Sequence, residues 1–243
     1  MDKAAAVIFD LDDTLCDYRG AKQRALCEVK RMLASRGIDH DEFVAVYETE
    51  EPELFRRFVS GELDKSEYRM RRFSNPLSRC GWDGEPGLAV VLNARYMSIA
   101  NEEIRLFDDV IGSLADLRQM GFELAVLTNG PSDGQRQKIG ALGLEYHIDQ
   151  VCISEEMGLA KPDTACFRAV AIMLGRQSQT CLMVGDSIAY DVEGARAAGM
   201  RSILIDRHNE HPNYSGERVR GLRELICQLD RERRIHCGDS ALN

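Results

Sequence analysis

The sequence carries a run of acidic residues directly after an apolar segment near its beginning. The segment 7–9 is followed by the run Asp10-Leu11-Asp12-Asp13-Thr14-Leu15. Asp10 and Asp12 stand two residues apart, so in an extended chain their carboxylates point to the same side. Such a pair could hold one divalent cation and still give the two carboxylates different chemical roles. A turn that is rich in aspartate for conformational reasons remains the alternative interpretation.

A second acidic run follows the apolar segment 181–184. It reads Gly185-Asp186-Ser187-Ile188-Ala189-Tyr190-Asp191. Asp191 stands where a helical pattern begins and could simply cap that helix, whereas Asp186 has no such explanation. Mg²⁺ is typically bound by one or two carboxylates together with water and substrate phosphate oxygens. Asp10 and Asp186 are therefore candidate ligands of one magnesium ion.

Two further short segments offer groups that bind phosphate. Thr128-Asn129-Gly130 follows an apolar run and supplies a hydroxyl and turn backbone N–H groups. Asn-Gly is also simply a common turn sequence. Lys161 lies between a strand pattern and a helix that opens with Pro162 and Asp163. An ordinary surface lysine is the alternative to a phosphate ligand there.

Alternating strands and helices would have to position these segments. Apolar runs typical of buried strands lie at residues 4–9, 122–127, 150–153, 180–184 and 201–205. Amphipathic helical patterns separate the later runs, so the sequence predicts an α/β fold, a parallel sheet with helices on both faces. Ligands of such sheets bind outside the carboxyl ends of the strands, which is where the acidic runs fall.

Residues 17–100 follow a different pattern. They contain several helical stripes and no comparable strand run, so we predict a helical insertion after the first strand. At the other end, the apolar stripe in 222–229 predicts a helix that packs on the sheet. Residues 231–243 are polar and are predicted to be a frayed tail.

Composition excludes several classes of function. The 243 residues are 44% hydrophobic and carry a net charge of −9, which would repel nucleic acid and anionic membranes. No stretch approaches the ~20 apolar residues that span a bilayer, and the first ten residues do not resemble a secretion signal. The eight cysteines form no CxxC pair, so no structural zinc site and a reducing, cytoplasmic setting are predicted.

In their order and approximate spacing, four segments resemble the motifs of the haloacid dehalogenase-like (HAD) superfamily of hydrolases. They are Asp10-Leu11-Asp12-Asp13-Thr14-Leu15, Thr128-Asn129-Gly130, Lys161-Pro162-Asp163 and Gly185-Asp186-Ser187 with Asp191. Each segment alone is common, but all four in this order are specific, and the resemblance spans nearly the whole chain. It implies a Rossmann-like catalytic core formed by residues 1–16 and 101–243, and a helical cap formed by residues 17–100.

The resemblance also implies a role for each matching acid. Asp10 is expected to be the nucleophile that forms an aspartyl-phosphate intermediate, and Asp12 the general acid and base. Asp10, the main-chain carbonyl of Asp12, and Asp186 are expected to hold Mg²⁺. Asp191 would lie close by as a further carboxylate or a water-mediated partner of the metal.

Thr128, Asn129 and Lys161 are the expected phosphate-binding residues of the resemblance. A lysine and a hydroxyl at these positions agree with the chemistry of phosphoryl transfer to a carboxylate. A carboxylate that attacks a phosphate dianion meets like-charge repulsion, so a divalent cation and a lysine are needed to offset it.

Within the superfamily, the motif sequences favour a phosphatase. Dehalogenases of 2-haloacids lack the second aspartate, which is present here as Asp12. Sugar phosphomutases usually read Asp-Gly-Val where this chain has Asp13-Thr14-Leu15. The predicted substrate is a small phosphorylated metabolite of the nucleoside monophosphate or sugar-acid phosphate type. A dehalogenase, a phosphomutase and a non-catalytic binding protein on the same fold remain alternatives. The chain could also form a homodimer.

The predicted cap would carry the specificity. One or two of its arginines could meet an anionic substrate group, although most should lie on solvated helix faces. The candidates are Arg56, Arg57, Arg69, Arg71, Arg72 and Arg79. Tyr68 and Trp82 could stack on a ring of the substrate or pack in a core.

Overall fold

A six-stranded, all-parallel sheet forms the centre of the computed structural model, which describes residues 5–84 and 87–239. Its order is β3-β2-β1-β4-β5-β6, a Rossmann-like α/β arrangement. The strands are β1 (Ala6–Phe9), β2 (Glu123–Thr128), β3 (Gln150–Ile153), β4 (Cys181–Gly185), β5 (Arg201–Ile205) and β6 (Arg218–Val219). The first five correspond to the predicted runs within one or two residues at each end. The pattern missed β6 because two residues are too few to show a period.

The chain order reverses at the central strand β1. Strands β2 and β3 lie on one side of it, and β4 to β6 lie on the other. Phe9 at the end of β1 pairs with Val126 of β2 and Val184 of β4. The residues that follow β1 and β4 therefore leave the same edge of the sheet side by side, at the crevice where such sheets bind ligands.

Helices cover both faces of the sheet. They are α5 (Val110–Gln119), α6 (Ser132–Ala141), α7 (Ser154–Met157), α8 (Thr164–Met173), α9 (Gly194–Ala197) and α10 (Leu222–Asp239). Alternate strand residues face opposite layers. Val7 and Phe9 pack in a cluster with α5 and α10, whereas Ala6 and Ile8 pack in a second cluster with α8 and α9.

The predicted frayed tail is wrong for most of its length, because α10 continues to Asp239. Two contacts hold this end of the helix on the core. Glu232 accepts from Arg201 of β5 at 2.6 and 2.7 Å, and Arg233 donates to the Met120 carbonyl at 2.7 Å. Polar composition alone could not reveal these partners. Residues 240–243 lie outside the described residues.

Four helices lie between β1 and α5. They are α1 (Tyr18–Ala34), α2 (His40–Val59), α3 (Lys65–Arg79) and α4 (Gly87–Glu102). They share a hydrophobic cluster of their own, with tilted and edge-on ring contacts among Tyr47, Phe73 and Tyr96. That residues 17–100 act as a separate cap stays a prediction. Within the described ranges, every helix is too short or too polar to span a bilayer.

Candidate active site

Three carboxylates meet at the ends of β1 and β4. The Asp10 backbone N–H donates to the Val184 carbonyl at 2.9 Å. The hydrogen bonding between the two strands therefore continues one residue past the end of β1. Asp186 follows the last residue of β4. One carboxylate oxygen from each of Asp10, Asp186 and Asp191 lies within 4.8 Å of the others. The fold thus brings together aspartates that are separated by up to 181 positions in the sequence.

Asp191 belongs to a single π-helical turn, Ile188–Glu193, and its side chain is 1% exposed. It does not cap that turn, since the capping side chain is that of Ser187, which accepts from the Tyr190 N–H. Asp191 instead accepts the Ser187 N–H at 3.0 Å through Oδ2. A Cβ atom at Gly185 would lie 2.3 Å from Asp191 Cγ, so only glycine leaves room for this carboxylate.

Lys161 is buried between two of the carboxylates rather than exposed on the surface. Its Nζ donates to Asp10 Oδ1 and to Asp191 Oδ1, both at 2.6 Å. The Asn129 side chain fixes the Lys161 backbone, because its Nδ2 donates to the Lys161 carbonyl and its Oδ1 accepts the Lys161 N–H. The side-chain amide of Asn129 is therefore engaged in positioning Lys161.

The acidic cluster holds more negative charge than Lys161 can neutralise. Burial raises the pKa of Asp10 to about 7, with Asp191 and Asp12 adding to the rise and Lys161 opposing it. Burial, Asp10 and Asp191 raise the pKa of Asp186 to about 9. Hard oxygen donors in a partly buried, under-neutralised cluster suit a small divalent cation such as Mg²⁺. The residues present fit that metal.

Asp12 lies beside this cluster and is held by two residues that the sequence patterns did not single out. Lys138 donates to both of its carboxylate oxygens at 2.7 and 2.8 Å, and Gln135 Nε2 donates to one of them at 3.2 Å. Both side chains project inward from α6 and are 5% or less exposed. The signal that could have found them is a glutamine and a lysine three residues apart on the same face as buried Ile139.

Thr128, at the end of β2, is also buried beside the cluster. Its Oγ1 accepts from Gln135 Nε2 at 2.5 Å. Gln135 thus connects the threonine hydroxyl with the Asp12 carboxylate. Gln135 therefore fixes the Thr128 hydroxyl beside the acidic cluster.

A cavity of about 580 Å³ is lined by these residues and by side chains of the four helices α1 to α4. The helices contribute Tyr18, Glu51, Pro52, Phe55, Tyr68, Arg69, Arg72, Met97 and Asn101. A space of this size and mixed polarity accommodates a small metabolite.

The arginines of α2 and α3 divide into two groups. Arg69 and Arg72 line the cavity. The others form ion pairs with glutamates outside it, namely Arg56 with Glu53, Arg57 with Glu62, Arg71 with Glu67 and Arg79 with Glu50. Of the two aromatic candidates, Tyr68 lines the cavity, whereas Trp82 packs against the hydrophobic cluster of the helices.

Known hydrolases are similar to the chain along most of its length. The sequence model for the haloacid dehalogenase-like hydrolase family matches residues 4–199. A glyceraldehyde 3-phosphate phosphatase of Methanopyrus kandleri is 30% identical over 237 residues, which cover 93% of this chain and 99% of that protein. A ribulose-1,5-bisphosphate 5-phosphatase of Halopiger xanaduensis is 32% identical and covers 85% of this chain and 87% of its own length.

Among solved structures, the magnesium-bound HAD-hydrolase YfnB from Bacillus subtilis superposes with a TM-score of 0.79. It is 26% identical, and the match covers 94% of this chain and all of that one. Its crystal structure is described as revealing interdomain movement.

Proposed function

Because the chain belongs to the haloacid dehalogenase-like hydrolase family and is a phosphoric monoester hydrolase, we propose that it hydrolyses a small phosphomonoester through an aspartyl-phosphate on Asp10. The observation that carries the proposal is the convergence of Asp10, Asp186 and Asp191, two of which pair with the buried Lys161. A cluster of this charge and depth is costly to fold unless it serves a cation and an anionic substrate.

Mg²⁺ is the proposed cofactor. Asp10, Asp186 and the main-chain carbonyl of Asp12 would hold it, with Asp191 as a further or water-mediated partner. When bound, the ion would offset the repulsion between the attacking carboxylate and the phosphate group.

The protein residues would act in two displacements. In the first, an Asp10 oxygen attacks phosphorus, the ester P–O bond breaks, and Asp12 gives its proton to the departing alkoxide. In the second, the Asp12 carboxylate takes a proton from water, which attacks phosphorus and releases phosphate and free Asp10. The Lys161 ammonium and the Thr128 hydroxyl would bind the transferring phosphoryl oxygens.

Asp12 serves in both displacements, so its position matters throughout the reaction. Lys138 and Gln135 hold its carboxylate from the side of α6. A halide leaving group needs no proton, so a positioned Asp12 favours phosphate ester hydrolysis over dehalogenation.

The four helices α1 to α4 are the proposed cap. Their side chains line the cavity and would face the substrate's alcohol part. The relatives act on different phosphates, according to their names, so membership of the family leaves the substrate open. A nucleoside monophosphate or a sugar-acid phosphate is the type that the motif sequences favour.

The test is a panel of phosphorylated metabolites, nucleoside monophosphates included, assayed for phosphate release with Mg²⁺ and with a chelator. We expect release that depends on the metal. Asp10→Asn keeps the shape of the side chain but removes the nucleophile, so it should show no measurable turnover. Release at the parent rate by a contaminant-free Asp10→Asn preparation, or in the presence of chelator, would contradict the proposal.

A further inference from the structure

Arg72 is a buried cation in the wall of the cavity. It lies on α3 and is 4% exposed. Its guanidinium carbon lies 4.9, 5.1 and 5.4 Å from the ring centroids of Tyr96, Tyr68 and Phe73, in that order. Aromatic faces attract a cation but do not neutralise it.

The described hydrogen bonds of Arg72 all go to uncharged acceptors. Nε and Nη2 donate to Asn93 Oδ1 at 3.2 and 2.7 Å, Nη1 donates to the Tyr68 hydroxyl at 3.2 Å, and Nη2 donates to Met97 Sδ at 3.0 Å. A guanidinium has five N–H donors, and a thioether is a weak acceptor. One N–H on Nη1 and the N–H that faces sulfur are thus available to a better acceptor.

The other cations in the cavity wall already have carboxylate partners. Lys161 pairs with Asp10, Lys138 with Asp12, and Arg69 with Asp133. Arg72 has no such pair among the described residues. A buried charge without a counter-ion costs several kcal/mol, so its presence beside a cavity indicates that an anion completes it.

Glu51 is connected to Arg72 through the Tyr68 hydroxyl. It accepts from the Tyr68 hydroxyl at 2.7 Å, so the phenol stands between it and the guanidinium. Glu51 also lies 3.8 Å from Lys22 Nζ. Glu51 thus has a cation of its own in Lys22, and among the described residues it reaches Arg72 through the Tyr68 hydroxyl rather than by an ion pair.

We propose that Arg72 binds a carboxylate on the alcohol part of the substrate, so that the enzyme takes phosphate esters of small hydroxy acids. The inference rests on the proposed function, in which Lys161 and the acidic cluster take the phosphoryl group. One guanidinium with two available N–H groups matches a single carboxylate in a two-point contact. A second phosphate could accept the same two N–H groups, but its dianion would bring two negative charges to a single unpaired cation.

The test compares 3-phosphoglycerate with glycerol 3-phosphate, which differ in a carboxylate against a hydroxymethyl group. Binding is measured by calorimetry with Mg²⁺ on the full-length Asp10→Asn protein, so the result does not depend on turnover. We expect 3-phosphoglycerate to bind about 10- to 100-fold more tightly, the usual worth of a charge-assisted contact. Adding Arg72→Gln should reduce the preference to within about 3-fold. Arg71→Gln, on the exposed side of the same helix, should preserve it.

Three outcomes would overturn the inference. One is equal binding of the two esters by the protein that retains Arg72, a result that needs no folded Arg72 variant. Another is a preference that persists in Arg72→Gln protein with a normal melting transition. The last is tighter, Arg72-dependent binding of propane-1,3-diol bisphosphate, which would assign the position to a second phosphate. Absence of phosphate release by the parent protein would instead count against the proposed function and leave these binding results valid.

Discussion

At the scale of single residues, the main feature of the site is an excess of buried negative charge. Asp10, Asp186 and Asp191 lie together, and the one ammonium group beside them, that of Lys161, pairs with Asp10 and Asp191. The fold holds Asp10 and Asp186 where their charged forms are disfavoured, because burial and mutual repulsion raise both pKa values. A cation that binds the carboxylates removes this penalty, so metal binding and folding should be linked.

The first prediction concerns pH and Mg²⁺. The pKa values of Asp10 and Asp186, about 7 and about 9, exceed those of the same groups in an unfolded chain. Protonation of these two carboxylates therefore stabilises the folded protein fully below about pH 4, and this contribution is lost as pH rises through 7 to 9. Mg²⁺ requires the carboxylate forms. The increase in melting temperature caused by Mg²⁺ should therefore grow from about pH 5 to about pH 9.

Thermal melting with Mg²⁺ and with chelator across that range measures the effect. Asp186→Asn should abolish most of the magnesium-dependent increase, because it removes one of the three carboxylates. An increase of the same size at every pH would show that proton release does not accompany metal binding.

The second prediction concerns Lys138, whose ammonium fixes both oxygens of Asp12. Lys138→Met removes the hydrogen bonds to Asp12 and roughly keeps the length of the side chain. We expect kcat to fall about 10- to 100-fold with a smaller change in KM, because Asp12 acts in proton transfer rather than in substrate binding. Steady-state kinetics on any substrate found in the panel provide the measurement. Lys30→Met, at an exposed pair with Asp41, is the matched control and should change neither constant. A rise in KM alone would place Lys138 in substrate binding.

At the scale of secondary-structure elements, the turn after β4 determines where Asp191 lies. The chain leaves the strand at Gly185 and enters the π-helical turn Ile188–Glu193, which directs Asp191 back toward the strand end. This return path requires the absence of a side chain at Gly185. Backbone conformation, and not the choice of acidic residues alone, therefore completes the cluster.

The third prediction follows from that contact. Gly185→Ala would place a methyl group 2.3 Å from Asp191 Cγ, so Asp191 must move. We expect the free energy of unfolding to fall by about 1–3 kcal/mol and magnesium affinity to fall with it. Urea unfolding and calorimetry measure the two effects. Gly112→Ala in α5 meets no atom within 4 Å and should be neutral or slightly stabilising. Unchanged magnesium affinity in Gly185→Ala would show that Asp191 can move without affecting the metal.

At the scale of the whole molecule, the four helices and the sheet region meet through ion pairs as well as around the cavity. Arg69 of α3 makes a two-point contact with Asp133 of α6, both distances being 2.8 Å. Lys65 lies 3.6 Å from the same aspartate and 3.2 Å from Glu155 of α7. These contacts join two parts of the structure that have separate hydrophobic clusters. If the helices act as a cap, such pairs favour its closed position.

The fourth prediction tests this connection by charge exchange. Asp133→Arg and Arg69→Asp should each raise KM by about 2- to 5-fold, since a partly exposed pair is worth about 1 kcal/mol or less. The double exchange, which restores opposite charges, should recover part of the loss. Kinetics at low and high salt provide the measurement, and the effects should shrink as salt screens the charges. Equal KM values in all four proteins would mean that the pair does not influence substrate access.

Five of the six described strands, and the candidate residues at their ends, could be predicted from the sequence. Buried parallel strands are short apolar runs, and the runs at 150–153 and 201–205 have the same bounds in the structure. Since parallel strands end at one edge, the proximity of Asp10 and Asp186 followed from their places after β1 and β4. The family resemblance then gave each motif residue an expected role.

The partner of each buried charge depends on tertiary packing and could not be read from the sequence. Asp12 meets Lys138 across 126 positions, and Asp191 faces Lys161 instead of capping its own helix. Arg72 has no carboxylate partner among the residues that the structure describes. The same holds for the end of α10, where composition indicated a frayed tail and contacts with β5 maintain a helix. Local patterns record which surfaces become buried, whereas the pairing of polar groups depends on how distant elements pack, and that is a property of the whole fold.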